Sequence, residues 1–517
     1  MSSASRRERP LAMNLQGFLR EAREFRLGDL LTEQPHPGTV GLAEKAVQDL
    51  PAAIGMLAAA DRQALEQLRL VEEPVAELAV RIRETLEDGA RVWICGCGAT
   101  GRLALSLEAL WRQKAAPAMA DRVVSLMAGG DLALIRSIEG FEDDRRAGGR
   151  HLLDLGFGDD DLLVSCTEGG ETSWVIGATE VAASTSGRFP WFLCCNPPEQ
   201  LRTITRSREI LDHARIRCLT MPVGPMALSG STRMQATTAL MLATGLALFY
   251  PEAEGIRRQL DQMEELLAGF PLTDLVPFIE QESAASKAGR FLFYLADRHA
   301  ITVLTDTTER SPTFSLTPFE NQDCPEDPPS LCYLNIPAAA NAEEGWHHLL
   351  GRPPRPLSWP EVADLAGPAR LAGFDFSRAG GGLRRQRLAG AVHLDFTVDG
   401  GPGELRWALG ENRSSWSTGG AGLVVEHVLL KVLLNMHSTL TMGRLGRYQS
   451  NVMTWVRPSN RKLVDRAIRY AAELLRQEGI TGVSYEQLAA ECFRQIPRMA
   501  EDEPIVPRMV TAIRPSD

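Results

Sequence analysis

Between Arg91 and Gly224 the chain repeats one pattern: a short, almost unbroken apolar run, then a stretch long enough for a helix. The runs are Val92 to Cys95, Val123 to Met127, Leu162 to Cys166, Trp191 to Cys195 and Ile216 to Met221. A strand wetted on one face alternates polar and apolar residues, so runs without alternation are covered on both faces. Spacers of this length allow parallel crossovers rather than hairpins. The pattern dictates a doubly wound α/β unit around a parallel sheet, whose ligand would sit outside the carboxyl ends of the strands.

The second half follows the same plan less regularly. Phe291 to Leu295, Leu331 to Ile336, Val392 to Val398 and Leu405 to Leu409 read as strands, and a long helix is expected from about Leu423 to Met442. A proline-rich insert (Pro353, Pro354, Pro356, Pro360) interrupts this half, and Asp399-Gly400-Gly401-Pro402 marks a turn between two strands. It reads as a degenerate α/β copy with a hairpin grafted in. Helical periodicity runs from Ala43 to about Glu87, from about Glu254 to Gln281, and again beyond Asn451. The expected division is a helical segment over 1–70, a first α/β unit over 71–253, a second over 254–450 and a helical segment over 451–517.

Composition narrows the partners. Lys plus Arg number 55 against 66 Asp plus Glu, a formal charge of −11 over 517 residues. That balance repels a polyanion, no basic patch offsets it, and nucleic acid is not expected as a partner. The apolar stretch Ala239 to Tyr250 is too short and too polar to span a bilayer, which needs about 20 apolar residues. The N-terminus, with Arg6, Arg7 and Arg9, lacks the apolar core of a secretory signal. A cytoplasmic protein without membrane contact is expected. The nine cysteines, with Cys95/Cys97 and Cys194/Cys195 inside apolar runs, suit reduced buried thiols better than bridges or zinc.

Two segments have the chemistry of an anion site. The first strand runs into Gly96-Cys97-Gly98-Ala99-Thr100-Gly101-Arg102 and opens a helix. Glycines let backbone N–H groups approach a phosphate, and a helix N-terminus favours an anion. Gly98, Thr100 and Gly101 are the candidates there. By spacing the loop fits a dinucleotide fingerprint, but the acidic residue that a nicotinamide would need comes late, at Asp131. The Thr100 hydroxyl suits a single phosphate monoester. The second segment, Gly224 to Met234, carries Ser229, Ser231 and Thr232 around Gly230, then Arg233, just before a long apolar helix. Each segment has a bland counterpart, a tight turn for the first and N-caps for the second. Two of them in one unit favour a ligand.

These residues resemble a known family. Gly96 to Arg102, Ala128-Gly129-Gly130, Glu139-Gly140-Phe141-Glu142-Asp143, Gly224-Pro225 and Ser229 to Met234 look like the sugar isomerase (SIS) domain of N-acetylmuramic acid 6-phosphate etherases and glucokinase regulatory proteins. Thr32-Glu33 through Pro37 and Thr39 resembles the etherase N-terminus; Leu434 to Thr439 and Ser459 to Leu463 resemble the last core helix and the segment after it. The resemblance implies two flavodoxin-like SIS domains in tandem, the second degenerate, as in the regulatory protein; the etherase is similar to one unit that pairs as a homodimer. Where the family has D-x-x-E-x-x-P-T-F/Y after the glycine loop, the first half has Leu107 and Leu110, with Glu108 out of register. The second half places Leu295, Asp297 and Ala300 where the loop glycines belong, yet keeps the pattern from Asp306 through Glu309 to Phe314. The β-branched content of Ile301 to Thr308 favours a strand; the resemblance makes it a helix, with Asp306 and Glu309 on one face.

If the halves pack about a pseudo-two-fold axis, Glu309 reaches the cradle and Glu142 of the first half, giving one composite site per chain. The implied chemistry is elimination of lactate from N-acetylmuramic acid 6-phosphate or a related phosphosugar. Glu142 would remove the C2 proton, Glu309 would protonate the C3 ether oxygen, and water would then add. Lys462 and Arg466, on an expected helix, correspond to ligand positions in the regulatory family; Thr167 and Thr172 can bond phosphate oxygens. No metal or organic cofactor is implied. Glu168 and Glu171 would repel a dianion unless they turn outward, and Met226 and Gln235 depart from the family's Glu and Lys. His437 is expected in the core. The same residues also fit a non-catalytic sugar-phosphate sensor with a sugar-kinase partner, and an aldose–ketose isomerase. Both a monomer with pseudo-dimeric halves and a homodimer are compatible with the sequence.

Overall fold

The computed structural model describes residues 14–25, 27–138, 140–458, 461–500 and 503–514. Glu139, Ser459 and Asn460 of the motifs above lie outside the described residues. The first half forms one parallel sheet of β1 (Val92–Gly96), β2 (Val123–Met127), β3 (Leu162–Cys166), β4 (Trp191–Cys194) and β5 (Arg217–Thr220), in the order β2-β1-β3-β4-β5. From β1 to β4 every strand residue is buried, which is why the sequence shows no alternation there. Because β1 pairs with β2 on one side and β3 on the other, the strand order reverses at β1. A crevice opens at that reversal, between the carboxyl ends of β1 and β3. Helix α1 (Ala99–Lys114) leaves the end of β1, and α2 (Ser173–Thr185) follows β3. The glycine loop and the segment Thr167 to Thr172 are thereby brought side by side.

The second sheet contains β6 (Phe291–Leu295), β7 (Cys332–Asn335), β8 (His393–Asp399), β9 (Glu404–Leu409) and β10 (Asn412–Ser417), in the order β10-β9-β8-β6-β7. Taken from its other edge, this is the chain order of the first sheet. Strands β7, β6 and β8 are parallel, as a copy requires, while β9 runs antiparallel to both of its neighbours, β8 and β10. Two short turns replace the last two crossovers. One spans Gly400 to Gly403; the other is Gly410-Glu411, with Gly410 at φ +58°. A connection of two residues can join only antiparallel neighbours. The turn at Asp399 to Pro402 is where the sequence places it. The polar strand β10 contains no apolar run by which to find it.

Three long helices join the halves. Helices α3 (Gln235–Phe249) and α5 (Leu423–Arg444) are buried almost all round and pack on each other, and α4 (Ala300–Phe314) packs on both α5 and α1. Among the described residues α5 is the helix long and apolar enough to cross a membrane, but nearly all of its apolar window is buried inside the protein. The stretch Ile301 to Thr308 is helical despite its β-branched content. Thr307 and Thr308 turn their hydroxyls back to the carbonyls of Val303 and Leu304, both at 2.8 Å, a bond that suits Thr to a helix.

The proline-rich insert is clamped to the first sheet. Arg352 donates through Nε and Nη2 to the two Glu108 oxygens at 2.9 and 3.0 Å and through Nη1 to Asp131 at 2.6 Å; Arg355 Nη2 donates to Glu108 at 2.9 Å. Burial works to raise the Glu108 pKa, yet these guanidiniums prevail and lower it to about 2. Glu108, out of register for catalysis, is a tether between the halves.

Candidate functional site

The crevice at the ends of β1 and β3 widens into a cleft of about 620 Å³. Its walls combine the glycine loop, the acidic segment at Glu142, the loop after β3, and Gly230 to Arg233 at the start of α3. The second half contributes Glu309 and the residues that end α4. Helix α6 (Arg461–Gln477) closes one side with Lys462 and Arg466, and Glu33 comes from near the N-terminus.

Glu309 crosses from the second half to stand with its Oε1 2.6 Å from Arg102 Nη1, at the end of the glycine motif. Glu142 accepts from Lys462 Nζ at 2.6 Å, and Lys462 also lies 3.3 Å from Glu171. The Lys462 charge outweighs burial and holds the Glu142 carboxyl below the usual range. In return Glu142 and Glu171 raise the Lys462 pKa against the opposing effect of burial. Arg466 and Arg469 donate to the Glu33 carboxylate at 2.8 and 3.1 Å. Burial opposes ionisation of Glu33, but the two guanidiniums lower its pKa to about 2. This pair fastens α6 over the cleft.

Donors remain on the wall. The Ser231 hydroxyl and Arg102 Nη2 are buried and have no hydrogen-bond acceptor in the protein. Ser231 lies just before α3, where the helix dipole adds positive potential. An unsatisfied buried donor is costly, and an anionic ligand would relieve that cost. Gly98 also lines the cleft; its φ of +56° makes the loop's turn in a region that side-chain-bearing residues rarely adopt.

Of the residues expected from sequence, Glu142, Glu309, Gly98, Thr172, Ser231, Thr232, Arg233, Lys462 and Arg466 line the cleft. Thr100, Gly101, Thr167 and Ser229 do not, and each has another task. The Thr100 hydroxyl closes the loop on itself, donating to the Cys97 carbonyl at 2.9 Å and accepting from the Cys97 N–H at 3.0 Å. Gly101 lets α1 pack on β2, since a Cβ there would meet Met127 Cβ at 2.5 Å. Thr167 braces the loop after β3, 3.0 Å from the Thr172 hydroxyl. Ser229 donates to the Glu33 carbonyl at 3.0 Å. Arg233 reaches the wall, and its Nη1 and Nη2 are taken by Asp306, Asn435, Ser438 and Thr439, so it joins the halves, while its buried Nε has no partner in the protein. His437 is fully buried against Phe396 and Trp407.

Glu168 and Glu171 do not turn outward; both are buried in the cleft wall. Lys462 neutralises Glu171. Glu168 accepts from the Thr237 hydroxyl at 3.0 Å, and burial pushes its pKa up to about 7. Gln235 spans from Asp61 at 2.7 Å to the Ala227 N–H at 3.0 Å, a structural role for one departure from the family pattern. Sequence reasoning missed Arg102 and Glu33 as cleft residues. Both stand inside quoted motifs, but nothing local marks the partners they meet.

The family model for the glucokinase regulatory protein N-terminal SIS domain matches residues 74–183. The chain is 29% identical over 220 residues to the N-acetylmuramic acid 6-phosphate etherase of Klebsiella aerogenes, covering 43% of this chain and 68% of that one. The etherase of Synechococcus sp. (strain CC9605) is 35% identical over 216 residues, 42% of this chain and 64% of the relative. The chain thus spans about two thirds of the length of these curated relatives, and the matched part is under half of its own. A crystal structure of a candidate phosphosugar isomerase from Silicibacter pomeroyi DSS-3 aligns with 76% of this chain and 99% of its own, at 14% identity and a TM-score of 0.42. The etherase of Yersinia pestis (strain Pestoides F) is 33% identical over 227 residues, which make up 42% of this chain and 71% of that enzyme. With two α/β units and the glycine-loop cleft in place, this identity establishes that the chain belongs to the N-acetylmuramic acid 6-phosphate etherase family of SIS-domain proteins.

Proposed function

We propose that the chain binds a phosphorylated amino sugar and eliminates lactate from N-acetylmuramic acid 6-phosphate or a near relative, in the cytoplasm and without a cofactor. Residues 71–253 would supply the anion cradle and the base, and residues 254–450 would complete the site from the other side. The observation that supports this reading best is that one cleft unites Glu142, held ionised by Lys462, with the carboxyl of Glu309 from the other half and with the unpartnered donors Ser231 and Arg102.

In this reading Ser231, Arg102 and the loop at Gly98 hold the phosphate, which fixes the sugar relative to the carboxyls. The open-chain C1 aldehyde acidifies the C2 proton, and Glu142 removes it. Glu309, from the facing wall, protonates the C3 oxygen as the C3–O bond breaks. Two carboxyls in different surroundings suit this division of labour, because the base must be ionised and the donor neutral.

The test is to incubate the purified protein with N-acetylmuramic acid 6-phosphate and measure lactate. Release is expected, and Glu142→Gln should lower it by about 10²–10⁴-fold, the usual contribution of a general base. Binding without turnover would replace the lyase with a sugar-phosphate sensor. Ketose formation from a hexose phosphate would replace it with an isomerase.

A further inference from the structure

The second sheet has a strand-order reversal of its own. β6 lies between β7 and β8, so the loops after β6 and β8 come together as those after β1 and β3 do in the first half. Three segments meet there: Arg298 and His299 after β6, Asp399 at the end of β8, and the first turns of α5 with Glu426 and His427. None of these five side chains lines the phosphosugar cleft. Where the first half presents glycines and hydroxyls to an anion, this point presents imidazoles and carboxylates, donors that suit a cation.

His299, Glu426 and His427 each offer a ligand atom within 4.8 Å of the other two, and all three side chains are buried. His299 Nε2 stands 3.1 Å from Glu426 Oε1, close to the roughly 3.3 Å edge of a tetrahedron whose bonds are about 2.0 Å. Groups behind the ligands orient them. Glu426 Oε2 accepts from the Gly403 N–H at 3.0 Å, which leaves Oε1 facing the imidazole. His299 Nδ1 lies 3.2 Å from Asp399 Oδ1, the carboxylate–histidine arrangement that fixes the tautomer of a metal-binding ring. His427 Nδ1 lies 2.7 Å from the Thr302 hydroxyl, and its Nε2 is buried without a hydrogen-bond partner among the described residues. A bare imidazole nitrogen in the interior is costly, and a bound cation would relieve that cost.

We propose that His299 Nε2, Glu426 Oε1 and His427 Nε2 form a binding site for one divalent zinc ion, separate from the cleft. Two positive groups meet these ligands in the structure. Arg298 Nε donates to Glu426 Oε1 at 3.0 Å, and His299 faces a carboxylate through each ring nitrogen, an arrangement that places a proton on both. An ion of charge +2 replaces the guanidinium and the Nε2 proton without changing the charge of the site. The Arg298 side chain is 30% exposed and can swing into solvent, whereas the three ligands are enclosed. Its departure opens the fourth tetrahedral position to water. Two imidazoles and one carboxylate favour zinc over magnesium and calcium, which prefer oxygen shells. The ion ties the start of α4 to the start of α5, and α4 carries Glu309 about 15 Å further along its axis.

The full-length chain, stripped with a chelator and titrated with zinc against a chromogenic competitor, should bind one equivalent that magnesium and calcium do not displace. Cobalt(II) in its place should show the intense visible absorption of a tetrahedral centre. His427→Ala and Glu426→Gln should each weaken that equivalent by more than about 100-fold, beyond the roughly 10–100-fold expected of Asp399→Asn, which loses only the group that orients His299. Arg298→Met should tighten it, because the competing guanidinium is gone. Zinc should raise the melting temperature of the wild type but not that of His427→Ala. All nine cysteines remain in these variants, so zinc held by thiols would persist in them. A wild type that binds no zinc, or an equivalent that survives Glu426→Gln at full affinity, would overturn the site. So would weaker binding by Arg298→Met, and these two variants decide the matter should His427→Ala fail to fold. Lactate release is not among the readouts, so the result stands whether or not the lyase reading does.

Discussion

Replacing Glu108 by Gln tests whether charge clamps the proline-rich insert to the first sheet. Glu108 is 1% exposed and meets both Arg352 and Arg355. A carboxyl held at about 2 rather than the ordinary 4.5 contributes about 3 kcal/mol to stability at neutral pH. Removing one partner of a buried ion pair costs roughly 3–5 kcal/mol. The lower end applies here, because Arg352 keeps Asp131 at 2.6 Å. Since the folded-state pKa is depressed, the contribution is complete above the unfolded value and disappears as pH falls through the folded one. Urea denaturation should therefore show wild type about 3 kcal/mol more stable than Glu108→Gln at pH 7, with the gap narrowing below about pH 4.5. Limited proteolysis at pH 7 should cut the variant sooner near Pro353 to Pro356. A gap under about 0.5 kcal/mol at pH 7, or one that widens on acidification, would refute the clamp.

Three further perturbations address the cleft and its frame. Lys462→Met removes the charge that holds Glu142 below the usual carboxylate range, so the acidic limb of the lactate-release profile should move to higher pH; an unmoved limb would show that Glu142 is not the titrating base. Ser231→Ala deletes a buried, unpartnered donor, and KM for the phosphosugar should rise about tenfold or more with kcat within twofold, measured by steady-state kinetics; an unchanged KM would remove Ser231 from the phosphate site. Gly101→Ala places a Cβ 2.5 Å from Met127 Cβ and should destabilise the fold by about 1–3 kcal/mol in thermal or chemical unfolding, whereas a neutral result would mean that α1 can shift away from β2.

Local chemistry was a good guide to the elements and a partial guide to the cleft. The first-half strands were legible because burial on both faces leaves an uninterrupted apolar run. The second sheet was legible as far as β9; β10 was not, since an edge strand in a polar hairpin needs no such run. Thr100, Thr167 and Ser229 have hydroxyls suited to a phosphate, but residue type does not say which way a hydroxyl points, and here all three brace loops. Glu168 is the opposite case. As a carboxylate it looked like an obstacle to an anionic ligand; burial without a cation pushes its pKa up to about 7 and so weakens that repulsion, and burial is a property of the assembled fold.

Taken alone, the amino-acid order determined the two α/β halves, the glycine turn, the acidic segment and the surviving carboxylate pattern of the second half. Each of these is recorded in residues a few positions apart, where periodicity and turn chemistry operate. The folded chain decided which of them meet. Lys462 neutralises a carboxylate 320 residues away, and Arg352 grips Glu108 across 244. Such pairs depend on how helices and sheets pack, and the free energy of a charge depends on the groups and solvent surrounding it in space, to which neighbours along the chain contribute only a small part.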